Sequence, residues 1–267
     1  MRGVLYFLLL AGCVRGEERV QISSTPNGVR FGWLGDKPVR PAPTVLFLGG
    51  PVESAFNQPH FREGIDALRE GVWCVSLDLP GHGKDVRAGE PGGIASWRHR
   101  LEKGEDFVAY FVGRATAVLD YLIHENLADP GKIGVFGTSR GGFMALHLAA
   151  ADSRVRRVAA FAPLTDLAVL SEFATTPAQA KTRTLRTSNL ADRLHDCAIW
   201  MIIGSTDYRV STGSMIEFGQ RVIEAAEARG VRPRIEFHVE PSEGHRVPPL
   251  SYARAGAWMR RSWDAQN

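Results

Sequence analysis

Short apolar runs alternate along the chain with longer stretches whose apolar positions recur every three or four residues. The runs "VRFGWL" from Val29, "TVLFLGG" from Thr44, "VWCVSLD" from Val72 and "KIGVFG" from Lys132 read as strands. So do "VRRVAAFAP" from Val155, "AIWMIIG" from Ala198 and "RIEFHVE" from Arg234. Runs this continuously apolar fit a parallel sheet buried on both faces. An additional strand at "ERVQIS" precedes the first of them, and the tight "STPNG" turn makes that pair antiparallel. Between the strands, Phe107, Val108, Phe111, Val112, Ala115, Val118, Leu119, Leu122 and Ile123 form one helical stripe. Met215, Phe218, Gly219, Val222, Ile223 and Ala226 form another, with Gly230 placed to end it. A last helix spans Ser251 to Asp264. The alternation predicts an α/β fold: a mostly parallel central sheet, helices on both faces and an antiparallel N-terminal strand.

Two segments break the alternation. Residues 81–106 read as a long polar connection after the strand ending at Asp78, and residues 164–196 are too long for a simple crossover. Both leave the C-terminal ends of strands, where open α/β sheets bind ligands, so they read as walls or a small lid over a site. No repeat, low-complexity tract or linker divides the chain, which predicts one domain over residues 17–267 with a lid-like insertion near 164–196.

Residues 1–16 differ. An early Arg2, an apolar stretch from Val4 to Ala11 and small residues before a charged segment make the centre of a secretory signal, too short to span a bilayer. Leu10-Ala11-Gly12-Cys13 also resembles the bacterial lipoprotein box, in which the cysteine carries lipid. The alternatives are a cleaved signal, a lipid anchor to a membrane through Cys13, or a buried apolar segment. Export is the expectation, to a periplasmic, membrane-anchored or secreted location. Composition adds little: a net charge of +3 with basic and acidic residues intermixed gives no nucleic-acid footprint. Cys74 and Cys197 lie in apolar runs and read as small core residues or, alternatively, as a disulfide. No Cys-x-x-Cys and no His-x-x-x-His on a helix supplies metal-ligand spacing, and no cofactor is expected.

The chemistry concentrates in "GVFGTSRGGFMA", residues 134–145. Here Gly137-Thr138-Ser139-Arg140-Gly141 follows an apolar strand and opens a helix. A Gly-x-Ser-x-Gly turn in that setting holds its serine in a strained conformation with close strand–helix approach, presenting the hydroxyl as a nucleophile. A serine needs a base and an orienting acid, arriving after later strands in the order serine, acid, histidine. Asp207 in "MIIGSTDYRV" and His245 in "VEPSEGHRVP" fit that order. Asp166 is a rival acid. His147 and His238 lie within predicted elements, and His82 in "PGHG" is either a turn residue or a substrate contact. Oxyanion donors are the backbone N–H of Arg140 and, from the loop after "TVLFLGG", that of Gly50, since Pro51 has none. The Arg140 guanidinium either reaches the pocket and pairs with a carboxylate on the substrate or on a neighbouring loop, or makes a structural ion pair or a hydrogen bond to nearby carbonyls.

With these motifs in hand, the chain resembles the α/β-hydrolases. It is similar to single-domain esterases related to dienelactone hydrolase and to the catalytic domain of prolyl oligopeptidases. The resemblance covers roughly residues 28–265 and is carried by "FLGG", "DLPGHG", "GVFGTSRGGFMA", "IGSTDYRV" and "SEGHRVP". The histidine-glycine pair of many oxyanion loops stands here as Leu48-Gly49. The resemblance implies a carboxylic ester hydrolase acting on a small-molecule substrate through an acyl-enzyme, without metal or organic cofactor. A serine peptidase acting on small peptides is the alternative, and a non-catalytic binding protein on the same fold is a third reading.

Overall fold

The computed structural model describes residues 19–68, 71–174, 177 and 179–264. The leader at residues 1–16, with Cys13, lies outside the described residues. Eight strands build one sheet: β1 (Val20–Ser24), β2 (Arg30–Leu34), β3 (Ala42–Leu48), β4 (Trp73–Ser76), β5 (Ala128–Thr138), β6 (Val155–Phe161), β7 (Ala198–Thr206) and β8 (Ile235–Glu243). Their order is β1-β2-β4-β3-β5-β6-β7-β8, parallel from β4 to β8. The Thr25–Gly28 turn returns β2 antiparallel to β1 as expected, with Gly28 N–H donating to the Thr25 carbonyl at 2.8 Å.

A second antiparallel pairing, β2 with β4, goes beyond the sequence reading. The reason is the short link from Leu34 to Ala42. Without room for a helical crossover, it must stay at one edge of the sheet and step past β4, so β2 runs opposite to β3.

Helices cover both faces: α1 (Val52–Ala55), α2 (Pro59–Leu68), α3 (Ile94–Glu102), α4 (Phe107–His124), α5 (Arg140–Ala151), α6 (Gln179–Thr184), α7 (Ala191–Leu194), α8 (Thr212–Glu227) and α9 (Ser251–Asp264). The period of two along β3 sorts its side chains. Leu46 and Leu48 join the core under α4, α5 and α8, whereas Val45 and Phe47 pack with Phe61 of α2 and Trp258 of α9. Both faces of the central strands are therefore dry, which is why they read as unbroken apolar runs. Among the described residues, no helix is long and apolar enough to cross a membrane. Cys74 and Cys197 are both buried and form no disulfide, and burial pushes the Cys197 thiol up to about 12.

The polar stretch at 81–106 is a folded buttress rather than an open connection. It contains α3, whose Trp97 and Arg100 are fully buried. Trp97 Nε1–H donates to the Pro80 carbonyl at 2.8 Å. Arg100 pairs with Glu90 and, at 2.8 Å, with Asp85. Asp85 also accepts from Gly81 N–H at 2.7 Å, from Arg114 at 2.8 Å and from the Tyr110 hydroxyl at 3.0 Å. Each buried charge thus has a partner, as its desolvation demands.

Segment 164–196 packs into the same core through Leu167, Leu170, Phe173, Leu190 and Leu194. His147 of α5 ties it down, with Nε2–H donating to the Leu185 carbonyl at 3.0 Å. Burial pushes this imidazole down to about 4, against an unfolded value of 6.5. A lowered histidine leaves stability intact above the unfolded value and withdraws it as pH falls toward the folded one. Stability should therefore drop by about 2 kcal/mol from His147 alone between pH 7 and pH 5. Urea unfolding at the two pH values measures this, and His147→Gln, which keeps an N–H donor but does not titrate, should flatten the loss.

Candidate active site

The sheet register brings the end of β5 between β3 and β6, with Leu48 opposite Gly137 and Thr138 opposite Phe161. Ser139 follows at once, with φ 54° and ψ −113°, and α5 begins at Arg140. That conformation costs a non-glycine residue about 1–3 kcal/mol and persists only where the surroundings impose it. They do so here. Ser139 N–H donates to the Phe161 carbonyl at 2.8 Å, and the Ser139 carbonyl accepts from Leu164 N–H at 3.0 Å. The neighbouring glycine is required by contact: a Cβ on Gly141 would lie 1.8 Å from the Leu48 carbonyl oxygen. Helix and strand can approach this closely only without a side chain.

Asp207 stands directly after β7 and is buried, while His245 follows β8. Pairing of Thr206 with Glu243 carries the two strand ends forward together. The Thr206 hydroxyl donates to the Ser242 carbonyl at 2.7 Å, and Gly244 turns the chain at φ +63°. His245 Nδ1 then lies 2.8 Å from Asp207 Oδ2, and His245 Nε2 lies 2.9 Å from Ser139 Oγ. Asp207 Oδ1 is held by the N–H groups of Arg209 at 3.0 Å and Val210 at 3.2 Å. Facing a carboxylate, Nδ1 carries the proton, which leaves the Nε2 lone pair for the serine hydroxyl. Three residues separated by up to 106 positions thus form one continuous hydrogen-bonded chain.

Asp166, the rival acid, is occupied elsewhere. It caps a short turn by accepting from Ala168 N–H at 2.9 Å and pairs with Arg186 at 2.7 Å. His238 lies in β8, 3.9 Å from Glu236, and His147 is the core histidine described above.

The loop after β3 faces the Ser139 turn. Gly50 adopts φ +144°, a region that favours glycine, and its carbonyl accepts from Leu79 N–H at 3.2 Å. Asp78, fully buried, fixes the same loop by accepting from Val52 N–H at 2.8 Å and from Arg30 at 3.1 Å. Arg140 is the first residue of α5, so its N–H has no acceptor within the helix. Its side chain meets neither structural expectation: among the described residues it makes no ion pair and no hydrogen bond. His82 is buried beside it, and burial, reinforced by the Arg140 cation, lowers its pKa.

Several supports of the site carry no local sequence signal. Asp78 and Asp85 sit in the quoted stretch around "DLPGHG", yet their partners are distant in sequence. The same holds for the Thr138–Tyr252 hydroxyl pair at 2.8 Å. A cavity of about 400 Å³ beside His245, lined by His60, Thr138, Val247, Leu250 and Tyr252, is likewise built from separate segments. Among the described residues, no cluster of three or more His, Cys, Asp or Glu side chains could hold a metal ion.

Comparison with known proteins agrees with this architecture. The Prolyl oligopeptidase family, Peptidase_S9, matches residues 112–264. The 20-hydroxy-prefusarin hydrolase FUS2 of Gibberella moniliformis is 30% identical over 114 residues, which cover 43% of this chain and 24% of that protein. The chain spans about a quarter of the length of the curated relatives it matches. Among solved structures, a puromycin-hydrolyzing peptidase of Mycobacterium tuberculosis superposes with a TM-score of 0.65 at 16% identity, over 93% of this chain and 38% of that one. A Pyrococcus furiosus esterase superposes with a TM-score of 0.62 at 20% identity, over 92% of this chain and 91% of that one. The fold is that of the α/β-hydrolases.

Proposed function

The chain belongs to the prolyl oligopeptidase family, and from that premise we propose that it is a serine hydrolase cleaving carboxylic esters of small molecules through an acyl-enzyme. The observation that carries this reading is the hydrogen-bonded relay from Asp207 through His245 to Ser139 Oγ at a strained strand-to-helix turn. In the first half-reaction, Ser139 Oγ attacks the ester carbonyl carbon and His245 Nε2 takes its proton. Asp207 holds the imidazole in the competent tautomer and stabilises the imidazolium. In this reading the N–H groups of Arg140 and Gly50 donate to the developing oxyanion. Collapse of the tetrahedral intermediate breaks the bond to the alcohol, which leaves with the proton from His245. In this reading the leaving group occupies the cavity beside His245, since that histidine returns the proton. A water, deprotonated by the same histidine, then releases the acid and restores Ser139.

Family membership supports a second reading, in which the same residues cleave short peptides. The two reactions share the acyl-enzyme and differ in the leaving group. Turnover of a panel of short-chain aryl and alkyl esters, set against aminoacyl amides with matching acyl groups, separates them. The ester reading expects kcat/KM to be higher throughout the ester series. Preferential cleavage of the amides would replace it with the peptidase reading.

A further inference from the structure

The side chain beside the nucleophile is a cation that no carboxylate among the described residues neutralises. Arg140 is largely withdrawn from water, its Nε is buried without a hydrogen-bond partner, and no carboxylate among the described residues pairs with its guanidinium. Its position is defined by the oxyanion loop: a methyl built on Gly50 Cα would lie 3.8 Å from Arg140 Nη2 and 3.5 Å from His82 Cδ2. The guanidinium therefore stands beside Gly50, in the loop that the hydrolase reading assigns to the oxyanion.

The neighbouring imidazole supplies no counter-charge. His82 is 7% exposed, and its Nδ1, 2.8 Å from the Pro80 carbonyl, must carry the proton to make that bond. Its Nε2 is then an unprotonated, buried acceptor without a donor. The nearby carboxylates are spoken for. Asp78 is engaged by Val52 N–H and Arg30, and Asp85 by Arg100, Arg114 and Tyr110. Burial lowers the Arg140 pKa, with no compensating anion among the described residues. Arg100 and Arg154, by contrast, have carboxylate partners: Arg100 has Glu90 and Asp85, and Arg154 has Asp152 and Asp120, while the buried Arg157 donates to the Ser262 hydroxyl and carbonyl. An unpaired buried cation costs folding free energy, and a planar guanidinium is matched by a carboxylate.

From this we infer that Arg140 is a specificity residue whose guanidinium binds a carboxylate on the substrate, so that the preferred substrates are esters bearing a second, anionic carboxyl group. The inference rests on the hydrolase reading and names its substrate class. The carboxylate can belong to the acyl part, as in a dicarboxylic hemiester, or to the alcohol part.

Two substrate pairs distinguish these cases. The mono-para-nitrophenyl ester of glutaric acid against para-nitrophenyl pentanoate tests the acyl side. Para-acetoxybenzoate against para-acetoxybenzamide tests the alcohol side. The wild-type protein should favour the charged member of one pair by about tenfold or more in kcat/KM, the scale of a charge-assisted hydrogen bond. Arg140→Met should lower kcat/KM for that charged ester by about tenfold more than for its neutral counterpart, and Arg140→Lys should recover part of the difference. Removing a half-buried charge that has no partner among the described residues should also leave the ligand-free variant melting no lower than wild type. Equal losses on charged and neutral esters, no charge preference in either pair, or a lowered melting temperature in Arg140→Met would each overturn the inference. A fluorophosphonate label on Ser139 of both proteins isolates the cause of failure. With labelling intact, a negative result removes only the anion site; without it, the hydrolase reading falls as well.

Discussion

Ser139→Ala should abolish ester turnover while leaving the protein folded. The hydroxyl makes one hydrogen bond among the described residues, to His245 Nε2, and it does not cap α5. Alanine retains the Cβ, so the positive φ at this position is no more strained than before. Stability should stay within about 0.5 kcal/mol of wild type, the range of substitutions that remove no packing or buried partner. Activity is another matter. Without Oγ no acyl-enzyme can form, and kcat should fall on the order of a million-fold, leaving the residual rate that binding and the oxyanion donors give a water attack. Parallel measurements of the melting curve and of kcat with an activated acetate ester separate chemistry from folding. Loss of both together would mean that the serine is structural.

Asp207→Asn should be nearly as damaging, for a reason specific to the proton positions. One carboxylate oxygen is already committed to the N–H groups of Arg209 and Val210. An amide that keeps its oxygen there turns its NH2 toward His245 Nδ1. The imidazole must then place its own proton on Nε2, where it can no longer accept from Ser139. A wrong-tautomer defect of this kind costs about 10⁴-fold in kcat. The comparison variant is Asp166→Asn, which removes only the pairing with the half-exposed Arg186 and should change kcat less than about threefold. The pair of kcat values discriminates between the two acids; a reversed order would assign the acid to Asp166.

Much of this site could be read from the chain because each catalytic candidate follows a strand whose apolar run is unmistakable. Ser139 comes after β5, Asp207 after β7 and His245 after β8, and their order matches what the fold requires. The sheet itself was legible for the same reason: strands such as β4 are buried at every position, which leaves a continuous apolar signature. Residues 81–106 were harder to interpret. Their anchors are paired charges, Asp85, Glu90 and Arg100 with Arg114 of α4 as a further partner, and the run resembles a solvated loop until the partners are seen together. The second antiparallel pairing leaves no mark in the sequence because it depends on the length of one link rather than on any pattern within β2. Arg140 marks a different limit. Its sequence neighbours indicate where its backbone lies, but only the arrangement of the surrounding loops shows that its side chain has no partner among the described residues.

The central claim is that Ser139 Oγ, activated by His245, is the group that bonds covalently to substrate. Reaction with a fluorophosphonate, followed by intact mass and peptide mapping, tests it most directly. A single adduct should appear on Ser139 in the wild-type protein, be absent from Ser139→Ala, and form far more slowly in His245→Ala. An adduct on another residue, or undiminished labelling of Ser139→Ala, would contradict it.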